Sequence, residues 1–427
     1  MEISFRNKGV MSFRPQFLGI IVFTILSFPV GIFVSAQNTT DFMSWKDAQN
    51  AEAVPEWARI MLSRDFRDLT GTAREELLAK TLSSLAEIAS DSKVVPAVRY
   101  NAILAAGQLE TSPGSPRTLP TAYPPALTYL VDVYYQANTP YYIRYGALLG
   151  IVRHAILGID SDQRYSVIDL LLKTAASEFE AGQVVPLEPA VWNWFRQTAL
   201  DGLSALKATG TDGEVVEELL SIINDKSQEL EEWSHSHQDI LNREAWQQIR
   251  LALELASKSA KTLGDLHYPS AAGVNTTNMT DTFIRLTKAV CDVQCKMATD
   301  SIDRVETSPD SSALREQIVV NVKACTQSVV WGMKSGFLTA ARPGENSFYA
   351  SLKSDDPAIE RLDVLMTEIV ELSTFFDEGV KERRSGALPG VPKAFKFDLS
   401  ELRDALKNCS EALLNIRERN IDSSPLQ

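Results

Sequence analysis

The chain has 427 residues, enough for two or three domains, and 44% of them are hydrophobic, so a sizeable core can form. The composition is that of an ordinary folded protein, not a disordered one. The net charge is −13 and no long Lys/Arg run occurs, which argues against general binding to nucleic acid or anionic lipid.

The N-terminus reads as a targeting segment. Arg6, Lys8 and Arg14 form a basic lead, and Phe17 to Val34 follows without a charge. Pro29 and Gly31 break the helix, and Val34-Ser35-Ala36 places small residues where cleavage is expected. Residues 1–36 are therefore expected to be a signal peptide, with the mature chain exported to a periplasmic, extracellular or envelope location. The competing expectation is an uncleaved anchor at 17–36, because about 18 apolar residues can just span a bilayer. Either way the bulk of the chain lies outside the cytoplasm, and any membrane contact is through this segment. The first 36 residues carry a net +2, so their removal leaves about −15 on the rest.

Residues 37–70 are expected to hold a polar lead and a capping helix from Met43 to Phe66, with Trp45, Trp57, Ile60 and Met61. Thr72–Ala89 is a strongly amphipathic helix: Leu77, Leu78, Thr81, Leu82, Leu85, Ile88 and Ala89 recur at three- and four-residue steps. Thr72 and Glu75 form a potential capping box at its start. After a short polar turn comes Val95–Leu109, with apolar positions Val95, Val98, Ala102, Ala105, Ala106 and Leu109. Its small residues suit close approach between helices.

This second stretch recurs. Val98-Arg99-Tyr100-Asn101-Ala102 is echoed by Ile143-Arg144-Tyr145-Gly146-Ala147 after 45 residues. Phe195-Arg196-Gln197-Thr198-Ala199 follows 52 residues further on, and Ile249-Arg250-Leu251-Ala252-Leu253 after another 54. Each is preceded by a separate amphipathic helix: Thr72–Ala89, Pro124–Gln136, Gln163–Glu180 and Gly213–Asp225. Helix, turn, helix with an arginine early in the second helix resembles the HEAT-type (HEAT/armadillo-like) repeat, whose period is roughly 40–47 residues. The resemblance covers about Thr72 to Thr262. It implies a short α-solenoid of about four helix pairs over residues 71–265, with Arg99, Arg144, Arg196 and Arg250 as structural residues of the repeat. It also implies that an acidic or amide residue in the intra-repeat turn (Asp91, Asn138 or Glu244) engages the arginine of a neighbouring unit. The fourth unit departs from the pattern, with Leu253 in place of the small residue.

Between the units, Thr111 to Pro125 holds Pro113, Gly114, Pro116, Pro120, Pro124 and Pro125 and is expected to be a rigid surface loop. Nine of the 11 tyrosines lie between Tyr100 and Tyr165. Tyrosine gives large contact area at low entropy cost, so Tyr134, Tyr135, Tyr141, Tyr142 and Tyr145 are candidate binding residues. Glu229 to Asp239, with His235 and His237, has no familiar zinc spacing and reads as a solvated loop; no metal site is expected. Asn275, Asn278 and Asn408 head formal glycosylation sequons, as does Asn38.

Residues 266–279 are polar and read as a linker. Residues 280–427 then hold four long helical patterns, Asp281–Arg304, Ser312–Phe337, Pro357–Arg384 and Leu399–Arg419, expected to form a four-helix-bundle-like domain. All four cysteines sit there. Cys291 and Cys295 are one turn apart, Cys325 lies on the stripe Ile318, Val322, Val329, and Cys409 on Leu402, Ala405, Leu413. An i, i+4 pair does not easily bond to itself, so two inter-helix disulfides are expected, one to Cys325 and one to Cys409. Free thiols and a thiolate metal site are the alternatives.

The chain is thus expected to be all-α: a short solenoid followed by a bundle. No phosphate loop, Gly-x-Ser-x-Gly, His-Glu-x-x-His or dinucleotide fingerprint occurs, so no catalytic residue or cofactor is expected. The expected function is an exported scaffold or adaptor for a protein or peptide partner. A redox or metal-binding role of the cysteines is the alternative.

Overall fold

The computed structural model describes residues 66, 69–176, 188–238, 240, 242–268, 274–305, 310–334, 347–352, 356–379 and 395–418. All of these fall in one compact unit, Phe42–Gln427. The expected targeting segment lies outside the described residues, as does the expected capping helix apart from its last residue, Phe66. The described residues are mostly helical, as expected of an all-α chain. None of their helices is long and apolar enough to cross a membrane.

The first two helices are α1 (Gly71–Ser90) and α2 (Pro96–Ala106). A two-stranded hairpin follows, β1 (Glu110–Ser112) with β2 (Thr121–Ala122). Then come α3 (Pro124–Tyr135), α4 (Tyr141–Leu157), α5 (Ser161–Ala176), α6 (Pro189–Leu206), α7 (Glu214–His235) and α8 (Arg243–Asp265). The remainder comprises α9 (Thr276–Val305), α10 (Asp310–Lys334), the single turn α11 (Phe348–Ser351), α12 (Ala358–Glu378) and α13 (Leu399–Glu418). Proline opens α2, α3 and α6 in the first turn, where its missing N–H would be unpaired in any case and its fixed φ already fits the helix.

Three local expectations change. The Thr72–Glu75 capping box does not form, because α1 starts one residue earlier on an extended Thr70 that makes no side-chain cap. Glu229–His235 is not loop but the final two turns of α7, whose apolar face continues through Leu230 into the core. The proline-rich segment is not irregular throughout: β1 and β2 pair antiparallel, and the tip closes with reciprocal bonds between Ser115 and Thr118, 2.9 and 3.2 Å. Its base is fixed by Arg74, which donates to the Glu110 carbonyl at 2.8 Å, and by Arg153, which donates to the Gly107 carbonyl at 3.0 Å and pairs with the Glu110 carboxylate.

Helices pack as successive pairs, α1 on α2, α3 on α4, α5 on α6 and α7 on α8. The second helices also pack in order, α2 on α4, α4 on α6 and α6 on α8. Small residues permit this. A Cβ on Gly107, the C-cap of α2, would sit 2.7 Å from the Gly150 Cα of α4, so the two backbones touch with no side chain between them. The hydrophobic face of every second helix is completed by a small buried residue six positions after its arginine: Ala105, Gly150, Gly202 and Ala256.

The packing continues through residues 266–268. Leu266 and Tyr268 are core residues, and Tyr268 donates to the Leu263 carbonyl at 3.0 Å. Beyond them, α9 packs on α7 and α10 on α8. Polar links accompany both contacts. Arg285 of α9 makes a two-pronged pair with Glu231 of α7 at 3.0 and 2.7 Å, and the Trp331 indole of α10 donates to Asp265 at 2.8 Å. Finally α12 and α13 pack on α9, with α13 laid along it.

Candidate interaction surface

The recurring arginines share one local task in three of the four units. Arg99 Nε donates to the Ala89 carbonyl at 2.9 Å, in the last turn of α1. Arg144 Nη2 donates to the Gln136 carbonyl at 3.0 Å, just past α3. Arg196 Nε donates to the Ala175 carbonyl at 2.6 Å, in the last turn of α5. Each places a cation at the C-terminus of the first helix of its own pair. Carbonyls there have no partner within the helix, and the helix dipole is negative. Burial lowers the Arg144 pKa and brings that of Arg196 down to about 10, so Arg196 stays charged near neutrality. Arg250 departs: it is exposed and pairs with Glu254, one turn along α8, at 3.1 Å.

The turn residues expected to engage these arginines show local features of their own turns. Asn138 takes the left-handed conformation (φ 63°), which asparagine tolerates best after glycine. The Asp91 carboxylate accepts from Lys93 N at 2.9 Å, and Glu244 N donates to the capping side chain of Asn242 at 3.1 Å.

The five candidate tyrosines divide. Tyr134 is 1% exposed, and its hydroxyl bonds Thr174 of α5 at 2.6 Å. Tyr145 packs on Phe195 of α6, ring centres 5.0 Å apart, and its hydroxyl lies 3.2 Å from Thr198. Tyr142 accepts from Arg99 at 3.1 Å, with the guanidinium over its ring. These three join neighbouring units to each other. Tyr135 and Tyr141 face solvent.

Tyr141 belongs to a row of exposed apolar side chains. Val95 (47% exposed), Tyr141 (55%) and Trp194 (55%) stand four, three and two residues before Arg99, Arg144 and Arg196. Val95 caps α2, Tyr141 is the first residue of α4, and Trp194 lies in the second turn of α6. The contacts Arg99–Tyr142 and Tyr145–Phe195 hold the same ends of α2, α4 and α6 side by side. The result is an edge with one large exposed apolar side chain per unit. In the fourth unit the positions three and two residues before Arg250 are the exposed Gln247 and Gln248, while the position four before it is Trp246, which is half-buried. Val95 is an N-cap residue here, not the core residue its periodicity suggests. Trp194 is in register with Tyr142, the half-buried neighbour of Tyr141, so register alone does not reveal its exposure.

The expected disulfides are absent, and all four cysteines are free. The helix pairing explains which partners are within reach. Cys291 Sγ lies 3.9 Å from Cys409 Sγ, across the α9–α13 contact. Cys295, one turn on, meets the Arg403 carbonyl at 3.7 Å, and Cys325 is buried on α10. The contact with Cys409, with burial second, pushes the Cys291 thiol well above its ordinary pKa; burial takes Cys325 to about 12. Reactive thiols need the opposite shift. His235 ends α7 and bonds the Glu231 carbonyl at 2.7 Å, while His237 lies in the exposed turn beyond. Among the described residues no three His, Cys, Asp or Glu side chains cluster as metal ligands.

No family model matches the chain, and neither a curated protein nor a solved structure matches it.

Proposed function

We propose that this chain is an exported, non-enzymatic scaffold whose helix pairs stack in the HEAT manner and which binds a protein or peptide partner along the Val95–Tyr141–Trp194 edge. The shared capping role of Arg99, Arg144 and Arg196 supports the repeat reading. So does the ordered packing of α2, α4, α6 and α8. On this reading α9 and α10 form a fifth layer on α7 and α8, and α12 and α13 close the end of the stack. A stack needs such an end, since its last layer would otherwise expose an apolar face.

The observation that carries the binding proposal is the exposed apolar row. Scattered surface hydrophobics are ordinary. Three in the N-terminal parts of adjacent second helices, stepping by one residue from unit to unit, form an anchor line, and aromatic anchors dominate binding energy at interfaces. The strongly acidic remainder of the surface suits a partner with a basic rim around an apolar centre. The test is recovery of bound protein by the mature chain from the exported fraction, compared with Y141A/W194A. Both side chains are exposed, so the variant should keep its helical circular dichroism. The expected result is loss of one defined partner by at least tenfold. Equal recovery by a folded variant would overturn the proposal.

A further inference from the structure

We propose that Cys291 and Cys409 close to a single disulfide that latches the C-terminal helix α13 onto α9, leaving Cys295 and Cys325 as thiols. Two helices fix the register. Cys409 faces Cys291, Arg403 faces Cys295 one turn on, and Ser410 donates to Asp292 beside the sulfur pair. Numbers rise along one helix as they fall along the other, so α9 and α13 run antiparallel. Cys291 and Cys409 thus meet within a contact held on both sides. Their sulfurs are in contact at 3.9 Å, and the bond requires closing that gap to about 2.05 Å. Cys325 and Cys295 have no comparable approach to a second cysteine, which removes the two-bond scheme expected from spacing alone.

Both sulfurs of the pair are buried, so the bond forms while α13 is still undocked. The chemistry is thiol–disulfide exchange with a small-molecule or protein disulfide, R–S–S–R. The Cys409 thiolate attacks one sulfur and releases RS⁻. The Cys291 thiolate then attacks Cys409 Sγ and expels the second RS⁻. Two protons pass to the two RS⁻ groups, so two cysteine thiols and one disulfide become one cystine and two RSH. Once α13 docks, burial shields the bond from reductants. The latch closes a loop of over a hundred residues, the regime in which a crosslink most restricts the unfolded chain.

The proposal uses the exported location proposed above only as the source of oxidant, and the test separates the two. Reduced, denatured full chain is refolded in a reduced/oxidised glutathione buffer, alkylated, and mapped by mass spectrometry without reduction. The expected outcome is one crosslinked peptide pair, 291 with 409, two alkylated thiols at 295 and 325, and a thermal midpoint about 5 °C above that of the reduced protein. C409S, which keeps size and shape, is expected to fold with three free thiols and no bond. Four free thiols, a bond involving Cys295 or Cys325, or a bond persisting in C409S would each overturn the latch. The same mapping on protein acid-trapped from the exported fraction is expected to show the same bond. Finding it reduced there, after it forms in glutathione, would overturn the native latch without touching the helix register.

Discussion

Replacing Gly107 with alanine tests the packing of the second helices directly. The added methyl carbon lands 2.7 Å from the Gly150 Cα, where carbons normally rest at about 3.5–4.0 Å. Both atoms in the clash belong to backbone or to the Cβ itself, so no rotamer change relieves it. The α2 and α4 axes must part by about 1 Å, and overpacking of this kind costs about 1–3 kcal/mol. Gly107 has ordinary right-handed backbone angles (φ −66°, ψ −14°), at which glycine-to-alanine alone would stabilise by about 0.4–1 kcal/mol. The net expectation is a loss of about 1–2 kcal/mol, read from equilibrium urea unfolding by circular dichroism. G150A should lose less, because its methyl meets chiefly the end of the Leu130 side chain, at 2.8 Å, and that can turn away. If G107A were as stable as the parent, the backbone contact between α2 and α4 would be wrong.

Further outcomes follow from the same structure. R196M keeps the aliphatic stem but strips the Ala175 carbonyl of its donor, at a cost of about 1–3 kcal/mol. R250M removes only an exposed pair with Glu254 and should cost about 0.5 kcal/mol or less in the same urea experiment. Equal losses would remove the distinction between the first three units and the fourth. His154 of α4 is 2% exposed, and its Nε2 has no hydrogen-bond partner. Burial, reinforced by the neighbouring Arg153 charge, pushes its pKa down to about 4. The unfolded chain protonates this group near pH 6.5 and the folded chain only near 4. Stability is therefore whole above pH 6.5 and falls as pH drops toward 4, by about 3 kcal/mol from this residue. H154F should flatten that part of a stability–pH curve, and an unchanged slope would show that His154 is not what titrates.

The helices were legible because their periodicity is long and strong. Thr72–Ala89 and Leu399–Arg419 match α1 and α13 to within a residue. The arginine echo at 99, 144, 196 and 250 was also visible, and with it the weakness of the fourth unit. What the arginines touch was not visible, since backbone carbonyls leave no trace in sequence. Tyrosine count pointed to the right neighbourhood, but composition cannot separate Tyr134, whose hydroxyl finds Thr174 inside, from Tyr141, which ends in solvent. The two differ by helix phase, not by residue type. Cysteine pairing failed for the same reason. Helical stripes show which face a thiol lies on, but the register of α13 along α9 depends on long-range packing.

Site-specific crosslinking in the producing cell tests the central claim most directly. A photoreactive side chain at position 194, a second at 141 and a third at the exposed Gln247 of α8 are compared in the mature protein. A partner-binding edge on α2, α4 and α6 requires that 194 and 141 trap the same single protein and that 247 does not. No adduct from 194 and 141, or the same adducts from all three positions, would contradict it.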